Sequence, residues 1–379
     1  MKKMVVLGVL VLLSLTACDV SLSASAGIAD DIEAPEVVAP VPAGAVSEPE
    51  TLGETKSNPI IVLPEPSGQT AFVSERDGTS SIYIMSADST QQVLVTDVLA
   101  EDHFPQWSPD GSKVAFVSNV ENNTDIYVAN TDGSGITRLT THPAKDDAPS
   151  WSPDGSRIAF ESFRDGNLEI YVVDLSGANL LRLTNHVDAD TTPVWSPRGE
   201  RIAFVSGRDG NSSIYAINTD GSNLIRLTTG NIPFSDPAWS PDGNMLVFRK
   251  WESAGLGDVC VITPGLSEIN CFTQYKKTGI PAWSPDGSKL AYRMKNDDGW
   301  VIEIANIYDS GSYQLKTNDA PHGDPVWSPD GNWIGYQVDV GNNMEIVIKR
   351  AAEDAGGEER YLTTASAYDG ELVWLWPAE

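Results

Sequence analysis

The sequence predicts an all-β protein, a seven-bladed β-propeller of four-stranded blades. Tryptophans recur at a spacing of 44 residues, and seven similar segments follow one another along the chain. Each segment holds short runs of β-branched and aromatic residues between turn-forming residues, and no useful length of chain shows helical periodicity. A period of this size with several short strands per unit is typical of propeller blades.

The repeated tryptophans mark one strand of each blade. They are Trp107, Trp151, Trp195, Trp239, Trp283 and Trp327, followed after 47 residues by Trp374. Because they are regular and fall where neighbouring blades must pack, we interpret them as packing residues between blades.

The unit around Trp107 shows how four strands are predicted. Ser108–Gly111 reads Ser-Pro-Asp-Gly, which fits a type I turn with proline second and glycine fourth. Asp132 and Gly133 form a second turn signal further along. The four predicted strands are one ending at Trp107, then Val114–Ser118, Asp125–Ala129 and Ile136–Thr140.

The chain is out of phase with its blades. The second, third and fourth strands occur seven times from Thr70 onwards, whereas the tryptophan-bearing first strand begins one unit later. The simplest closure pairs Glu371–Trp376 with Thr70–Thr96 in one blade, which removes the open sheet edges of an unclosed ring. Ile60–Leu63 lies one period before the first tryptophan-bearing strand and is a second candidate for this innermost position.

Residues 1–17 are predicted to be a lipoprotein signal peptide. Lys2 and Lys3 precede the apolar run Met4–Leu15, which is short for a membrane span. The run ends in Leu-Thr-Ala-Cys, which resembles the lipobox of bacterial lipoproteins and implies cleavage before Cys18 and acylation of that residue. The alternative is an ordinary signal peptide with an incidental cysteine. We expect an exported chain, lipid-anchored to a bacterial membrane and facing the periplasm or the cell exterior.

Residues 18–57 are predicted to be the acylated cysteine and a disordered tether, and residues 58–379 the propeller. Asp19–Ser57 is rich in Ala, Pro, Val, Glu and Ser without a sustained period, so it cannot bury a core. A small folded domain would require a periodic apolar segment, which this stretch lacks.

The charge of the chain excludes several partners. With 53 acidic and 25 basic residues the formal net charge is −28, which disfavours nucleic acid and electrostatic adhesion to anionic lipid. Such a chain repels copies of itself and favours cationic partners, so we expect a monomer held to the membrane through its lipid alone.

The repeat resembles a known family. Strings such as "PQWSPDGSKVAF" and "DLSGANLLRLT" resemble the WD40-like repeats of the TolB propeller, which also occur in the propeller domains of the prolyl oligopeptidase and dipeptidyl peptidase IV families. The resemblance covers residues 58–376 and implies a TolB-like propeller lipoprotein without those families' other domains. It departs from TolB in blade count, seven instead of six, and in its lipid anchor. No Gly-x-Ser-x-Gly elbow of a hydrolase is present.

Two tryptophans outside the repeat are candidate binding residues. Trp251 and Trp300 fall between the second and third strands of adjacent blades. The connections between second and third strands emerge at the same end of the propeller as the connections from each fourth strand to the first strand of the next blade. We call this end the loop face. Two large aromatics there could form a platform for a sugar ring or a peptide side chain. Alternatively, each tucks against its own blade.

A set of carboxylates precedes the tryptophans of the repeat by three to five residues. Its members are Asp102, Asp146, Asp190, Asp236, Asp324 and Asp369, with Asp147 beside the second. If they ring the mouth of the central channel, they could bind calcium, although no cofactor is required by the fold. Alternatively, each aspartate hydrogen-bonds its own loop. His103 and His322 stand beside this mouth and are further candidates for binding or for acid–base chemistry.

Cys260 and Cys271 are predicted to form a disulfide. In the repeat register Cys260 aligns with third-strand residues and Cys271 with fourth-strand residues, which face each other across a hairpin. Outside the cytoplasm such a pair is expected to be oxidised.

Taken together, these features predict a non-catalytic, envelope-anchored scaffold that binds a protein, peptide or glycan on the loop face. The alternative is a metal-assisted carbohydrate- or peptide-active enzyme at the acidic channel mouth. A metal-dependent lyase is expected to present several histidines around the channel, and only His103 and His322 are placed there.

Overall fold

The computed structural model confirms the predicted all-β, seven-bladed propeller. It describes residues 65–96, 100–120, 122–252, 255–266, 268–274, 276–309, 311–318, 321–341, 343–353, 359–364 and 367–375. Within these ranges 29 strands form seven antiparallel sheets, and no helix is long and apolar enough to cross a membrane. Cys18, the predicted tether and Ile60–Leu63 lie outside the described residues.

Each sheet is one blade, and the strands follow in chain order. Blade 1 holds β1 (Gln69–Ser74), β2 (Ser81–Ser86) and β3 (Gln92–Leu94); blade 2 holds β4 (Glu101–Trp107), β5 (Lys113–Val120), β6 (Asn123–Asn130) and β7 (Thr137–Arg138). Blade 3 holds β8 (Asp146–Trp151), β9 (Arg157–Ser162), β10 (Glu169–Asp174) and β11 (Leu180–Arg182); blade 4 holds β12 (Asp190–Trp195), β13 (Arg201–Ser206), β14 (Ser213–Asn218) and β15 (Ile225–Arg226). Blade 5 holds β16 (Phe234–Trp239), β17 (Leu246–Trp251), β18 (Gly257–Ile262) and β19 (Ile269–Cys271). Blade 6 holds β20 (Lys277–Thr278), β21 (Ala282–Trp283), β22 (Lys289–Asn296), β23 (Gly299–Asn306) and β24 (Ser312–Leu315). Blade 7 holds β25 (Val326–Trp327), β26 (Trp333–Asp339), β27 (Met344–Arg350) and β28 (Arg360–Tyr361), and β29 (Asp369–Trp374) returns to blade 1.

The last strand closes the ring, as predicted. β29 pairs antiparallel with β1, so that Trp374 lies opposite Thr70 and Asp369 opposite Ser74. The strand begins and ends two residues earlier than the predicted Glu371–Trp376. The indole nitrogen of Trp107 donates to the carbonyl of Val373 at 3.4 Å, which joins blade 2 to the closing strand.

The Ser-Pro-Asp-Gly turns lie opposite the loop face, at the end that we call the turn face. In the first turn, Gly111 N donates to Ser108 O at 2.9 Å, and Ser108 Oγ accepts from Lys113 N. Asp110 accepts from Ser112 N at 3.0 Å, and Gly111 has a φ of +68°, which glycine adopts without strain. These bonds explain why the same four residue types recur.

The core is divided among the interfaces between blades. Seven clusters of buried apolar residues each combine side chains of two adjacent blades. At the closing interface, Phe72 and Tyr83 of blade 1 pack with Trp333 and Ile346 of blade 7. Five of the seven repeated tryptophans join these interfaces by donating their indole N–H to the inner strand of the preceding blade. Besides the bond from Trp107, four bonds of 3.0–3.2 Å run from Trp151 to Gln106 O, Trp239 to Val194 O, Trp283 to Ala238 O and Trp327 to Ala282 O. Trp374 donates instead to Ser67 O, and Trp195 Nε1 has no partner among the described residues.

The predicted disulfide is confirmed. Cys260 on β18 and Cys271 on β19 are directly opposite each other in the ladder and are covalently bonded. Cys260 is fully buried in the cluster between blades 4 and 5, whereas Cys271 lies on the outermost strand of its blade.

Candidate functional site

The inner strands carry two distinct positions near the loop face, five and three residues before each tryptophan of the repeat. In blades 2 to 5 the ladder shifts register between these positions and the tryptophan. The residue three before the tryptophan has a left-handed backbone at Phe104, Ala148, Thr192, Asp236 and Glu371, with φ between 49° and 55°. Such a conformation costs about 1–3 kcal/mol for a residue other than glycine, so the inner strand is strained where it meets the loop face.

The structure divides the six predicted carboxylates into two sets. Four of them, at the position five before the tryptophan, are fully buried: Asp102, Asp146, Asp190 and Asp369. Three of these four pair with an arginine of their own blade. The pairs are Asp369 with Arg76 at 3.0 Å, Asp146 with Arg164 at 3.0 Å and Asp190 with Arg208 at 2.7 Å. Each arginine also stacks on a tyrosine of the same blade, at 4.5–4.8 Å from the ring centroid. These aspartates therefore stabilise their blades.

Asp102 in blade 2 lacks this arginine. The other three blades carry a Ser-x-Arg-Asp-Gly loop, but Val120 stands at the arginine position after Ser118. Asp102 is fully buried, and neither carboxylate oxygen has a hydrogen-bond partner among the described residues. Burial raises the pKa of this carboxyl to about 6, because the nearby hydroxyls of Ser118 and Thr96 offset the lost hydration only in part.

Asp236 and Asp324 form the second set, three residues before their tryptophans. Asp236 Oδ2 lies 2.7 Å from Arg249 Nε in the same blade. Asp324 of blade 7 reaches the inner strand of blade 6, where a Cβ placed on Gly279 would lie 1.9 Å from Asp324 Oδ1. Gly279 therefore leaves room for a carboxylate from the next blade. Burial raises the pKa of Asp324, and Arg293, whose Nε lies 3.8 Å away, opposes that shift.

Calcium binding by these carboxylates stays a prediction. Among the described residues, no group of three or more His, Cys, Asp or Glu side chains comes close enough together to hold a metal ion. The two sets also differ in burial, since the first is enclosed within blades and the second is partly exposed.

Trp251 and Trp300 each hold an arginine on the loop face. The guanidinium of Arg249 lies 4.5 Å from the ring centroid of Trp251, and that of Arg293 lies 4.4 Å from the ring centroid of Trp300. Trp251 Nε1 also donates to Ser235 Oγ at 2.6 Å. Stacking of this kind orients a guanidinium and leaves its edges available for hydrogen bonds. We call these four residues the arginine–tryptophan site.

The two arginines bridge neighbouring blades in the same way. Arg249 Nη1 donates to the carbonyl of Thr278 in blade 6 at 3.1 Å, and Arg293 Nη1 donates to the carbonyl of His322 in blade 7. Burial lowers the pKa of Arg293, and the positive charge of Arg249 lowers it further, whereas Asp324 raises it. The charges of the two guanidiniums therefore interact with each other and with Asp324 across blades 5 to 7.

The two candidate histidines lie in different places. His322 belongs to blade 7 beside the arginine–tryptophan site, and its Nε2 lies 4.0 Å from Asp339 Oδ2. His103 lies between blades 1 and 2, where its Nδ1 is 3.0 Å from Glu371 Oε1. The hydrogen bond with Glu371 raises the pKa of His103. The structure thus brings the backbone of His322 to Arg293 of the arginine–tryptophan site, whereas His103 pairs with Glu371 between blades 1 and 2.

Arg249 and Arg293 were not among the predicted site residues, although the sequence contains a signal for them. They lie one repeat apart, and the equivalent residues are valine in blades 1, 2 and 4 but Glu161 in blade 3 and Gln337 in blade 7. Blades 5 and 6 are thus the two adjacent blades with a cation at this repeat position.

Seven antiparallel sheets in a closed ring define a β-propeller, and the arginine–tryptophan site lies on its loop face. The family model of the TolB beta propeller domain matches residues 62–147 and 143–274, more than half of the chain, so the chain belongs to this family. No curated protein matches the sequence.

Several solved structures are similar. TolB from Acinetobacter baumannii is 25% identical with a TM-score of 0.56, over 70% of this chain and 67% of that one. An oligogalacturonate lyase in complex with manganese is 14% identical with a TM-score of 0.64, over 76% and 86%. A prolyl endopeptidase is 14% identical with a TM-score of 0.60, over 81% of this chain and 49% of that one, so the chain spans about half its length. The last two share the fold alone.

Proposed function

We propose that this protein is a non-catalytic binding scaffold of the cell envelope, anchored through Cys18, that recognises a protein, peptide or glycan on its loop face. The observation that carries the proposal is the arginine–tryptophan site. Its residues depart from the repeat, lie on adjacent blades of one face and are oriented by stacking and hydrogen bonds. Residues that depart from a repeat without serving the blade are candidates for recognition.

The repeat accounts for most other polar groups. The buried aspartate–arginine pairs, the Ser-Pro-Asp-Gly turns and the indole N–H bonds each satisfy groups within a blade or between two blades. Membership of the TolB propeller family agrees with a binding scaffold, since propellers present rigid loop surfaces.

Gly68 lies against Pro329, and Leu375 lies against Gly111, at the turn face. These two residues of the propeller therefore lie at the end opposite the arginine–tryptophan site. The metal-assisted enzyme stays an alternative hypothesis, which calcium or manganese binding at the channel mouth would favour.

A pull-down from envelope extract with the full chain, combined with a glycan array, tests the proposal. We expect the Trp251→Ala, Trp300→Ala variant to lose the ligand that the unaltered chain retains. Tyr308→Ala is a matched control, because Tyr308 is an exposed aromatic residue of blade 6 at the turn face. Retention by the double tryptophan variant, or equal loss from Tyr308→Ala, would contradict a loop-face site. Circular dichroism establishes that each variant is folded.

A further inference from the structure

The loop-face ends of blades 5 and 6 carry several cationic side chains in an acidic protein. The chain has 25 basic against 53 acidic residues, yet six cations lie at this end of two adjacent blades. They are Arg249, Lys250, Lys276, Lys277, Arg293 and Lys295, and we call them the basic cluster. Arg249, Lys250 and Arg293 each face a carboxylate, those of Asp236, Glu252 and Asp324, and the other three are lysines.

Part of the basic cluster opposes the stability of its own sheet. Lys277 on β20 and Lys295 on β22 are direct cross-strand partners and are both exposed. Like charges in this arrangement destabilise a strand pair. Lys276, Lys277 and Lys295 form no ion pair with any residue of the described ranges, so no carboxylate of the structure compensates for the repulsion. A local conflict of this kind points to function.

The two arginines of the basic cluster are held ready for an anion. In each arginine the Nε side of the guanidinium faces an aspartate and Nη1 donates to a backbone carbonyl. A tryptophan ring stacks on each guanidinium plane. Nη2 of Arg249 and of Arg293 has no hydrogen-bond partner within the described residues. Their side chains are 16% and 20% exposed, so little conformational freedom remains to be lost on binding.

The chemistry of the basic cluster favours peptide carboxylates over a stacked sugar. An arginine covers one face of each of Trp251 and Trp300, which reduces the indole surface available for stacking a sugar. Ile280, between β20 and β21 of blade 6, is 44% exposed and offers an apolar contact to a side chain that flanks a carboxylate. Guanidiniums bind carboxylates through paired hydrogen bonds, and lysines add charge without fixed geometry.

We propose that the basic cluster binds an acidic segment of a partner protein, with its carboxylates on Nη2 of Arg249 and Arg293 and with Lys277 and Lys295 attracting it. The inference rests on the proposed loop-face scaffold and names the class of its ligand. The net charge of −28 repels acidic chains from the rest of the surface, so binding is confined to this cluster. Asp297 and Asp298, in the turn between β22 and β23, limit how far an acidic segment extends beyond it.

Fluorescence titration of the full chain in detergent tests this proposal with three probes: oligoglutamate, oligoglutamine of the same length and oligogalacturonate of the same charge. We expect binding of oligoglutamate alone, weakened by salt, and a loss of about tenfold or more in Arg249→Gln, Arg293→Gln. The control Arg198→Gln, Lys289→Gln removes two charges at the turn face and should bind like the unaltered chain.

A second variant separates recognition from folding. Lys277→Gln, Lys295→Gln relieves the cross-strand repulsion, so it should unfold at a higher temperature while it binds oligoglutamate more weakly. Equal losses in the control, or binding of oligogalacturonate as tight as that of oligoglutamate, would overturn the proposal. If the envelope ligand is lost from the tryptophan variant but kept by Arg249→Gln, Arg293→Gln, the loop-face scaffold stands and the acidic-peptide inference is wrong.

Discussion

Replacing Asp102 with asparagine should make the propeller more stable at neutral pH. Asp102 is the one fully buried aspartate of its set that lacks an arginine partner within the described residues, and neither of its oxygens accepts a hydrogen bond there. An ionised carboxylate without compensation is unfavourable in such a place. Asparagine keeps the shape of the side chain and removes the charge.

The magnitude follows from the pKa of Asp102, which burial raises from 3.8 to about 6. A shift of this size corresponds to about 3 kcal/mol of free energy of unfolding at neutral pH. Because the folded-state pKa is raised above the unfolded value, this contribution to stability is complete below about pH 4 and is lost as the pH rises through about 6. We therefore expect Asp102→Asn to gain about 2–3 kcal/mol over the unaltered chain at pH 7.5, and the gain should vanish towards pH 4.

Urea unfolding of both chains across this pH range is the assay. Asp146→Asn is the matched control, because Asp146 occupies the same position in blade 3 but pairs with Arg164. Removing that carboxylate leaves a mostly buried guanidinium unpaired, so the control should lose about 3–5 kcal/mol. If Asp102→Asn lowers stability at pH 7.5, or if its effect does not change with pH, the account of Asp102 as an uncompensated buried charge is wrong.

Three further predictions concern closure, the disulfide and calcium. Deleting residues 366–379 removes β29, so the free energy of unfolding should fall by more than the loss of about 3–5 kcal/mol that is typical of removing one buried tryptophan. Thermal unfolding measures this change, and an unchanged melting temperature would contradict closure by β29. Reducing the Cys260–Cys271 bond, whose cysteines are 11 residues apart, should lower the free energy of unfolding by about 3 kcal/mol, which urea unfolding with and without reductant measures. Free thiols in the protein isolated from its host would show that the bond does not form there. Equilibrium dialysis should detect calcium bound below millimolar concentration if the carboxylates near the channel form a site, and absence of binding would end that hypothesis.

The architecture could be predicted because the repeat is regular. A 44-residue period with one tryptophan per unit determines the number of blades. The offset of the first strand favours closure by Glu371–Trp376 but leaves Ile60–Leu63 as a second candidate. Strand ends were less predictable. β29 begins at Asp369 because that carboxylate lies opposite Ser74 and pairs with Arg76, a contact between residues almost 300 positions apart.

The candidate site could be predicted only in part. The sequence grouped six aspartates because all lie three to five residues before a tryptophan of the repeat. In the structure, the inner strand has a left-handed residue three before the tryptophan in several blades, so side chains at the third and fifth positions have different surroundings. Asp146 is consequently buried against an arginine, whereas Asp236, which itself has the left-handed backbone, is partly exposed beside Arg249. No pattern along the chain reports the direction of a side chain after such a register shift.

The sequence by itself determined the number of blades, the offset between the repeat and the blades, and the disulfide. The repeat register shows which residues occupy equivalent strands, and hence which two face each other within one hairpin. Cys260 and Cys271 are an example, since both lie in the ladder of β18 and β19. Only the tertiary structure decided what the tryptophans outside the repeat do. Trp251 and Trp300 each carry an arginine that bonds to the next blade, and contacts between blades depend on the closed ring, which no single repeat encodes.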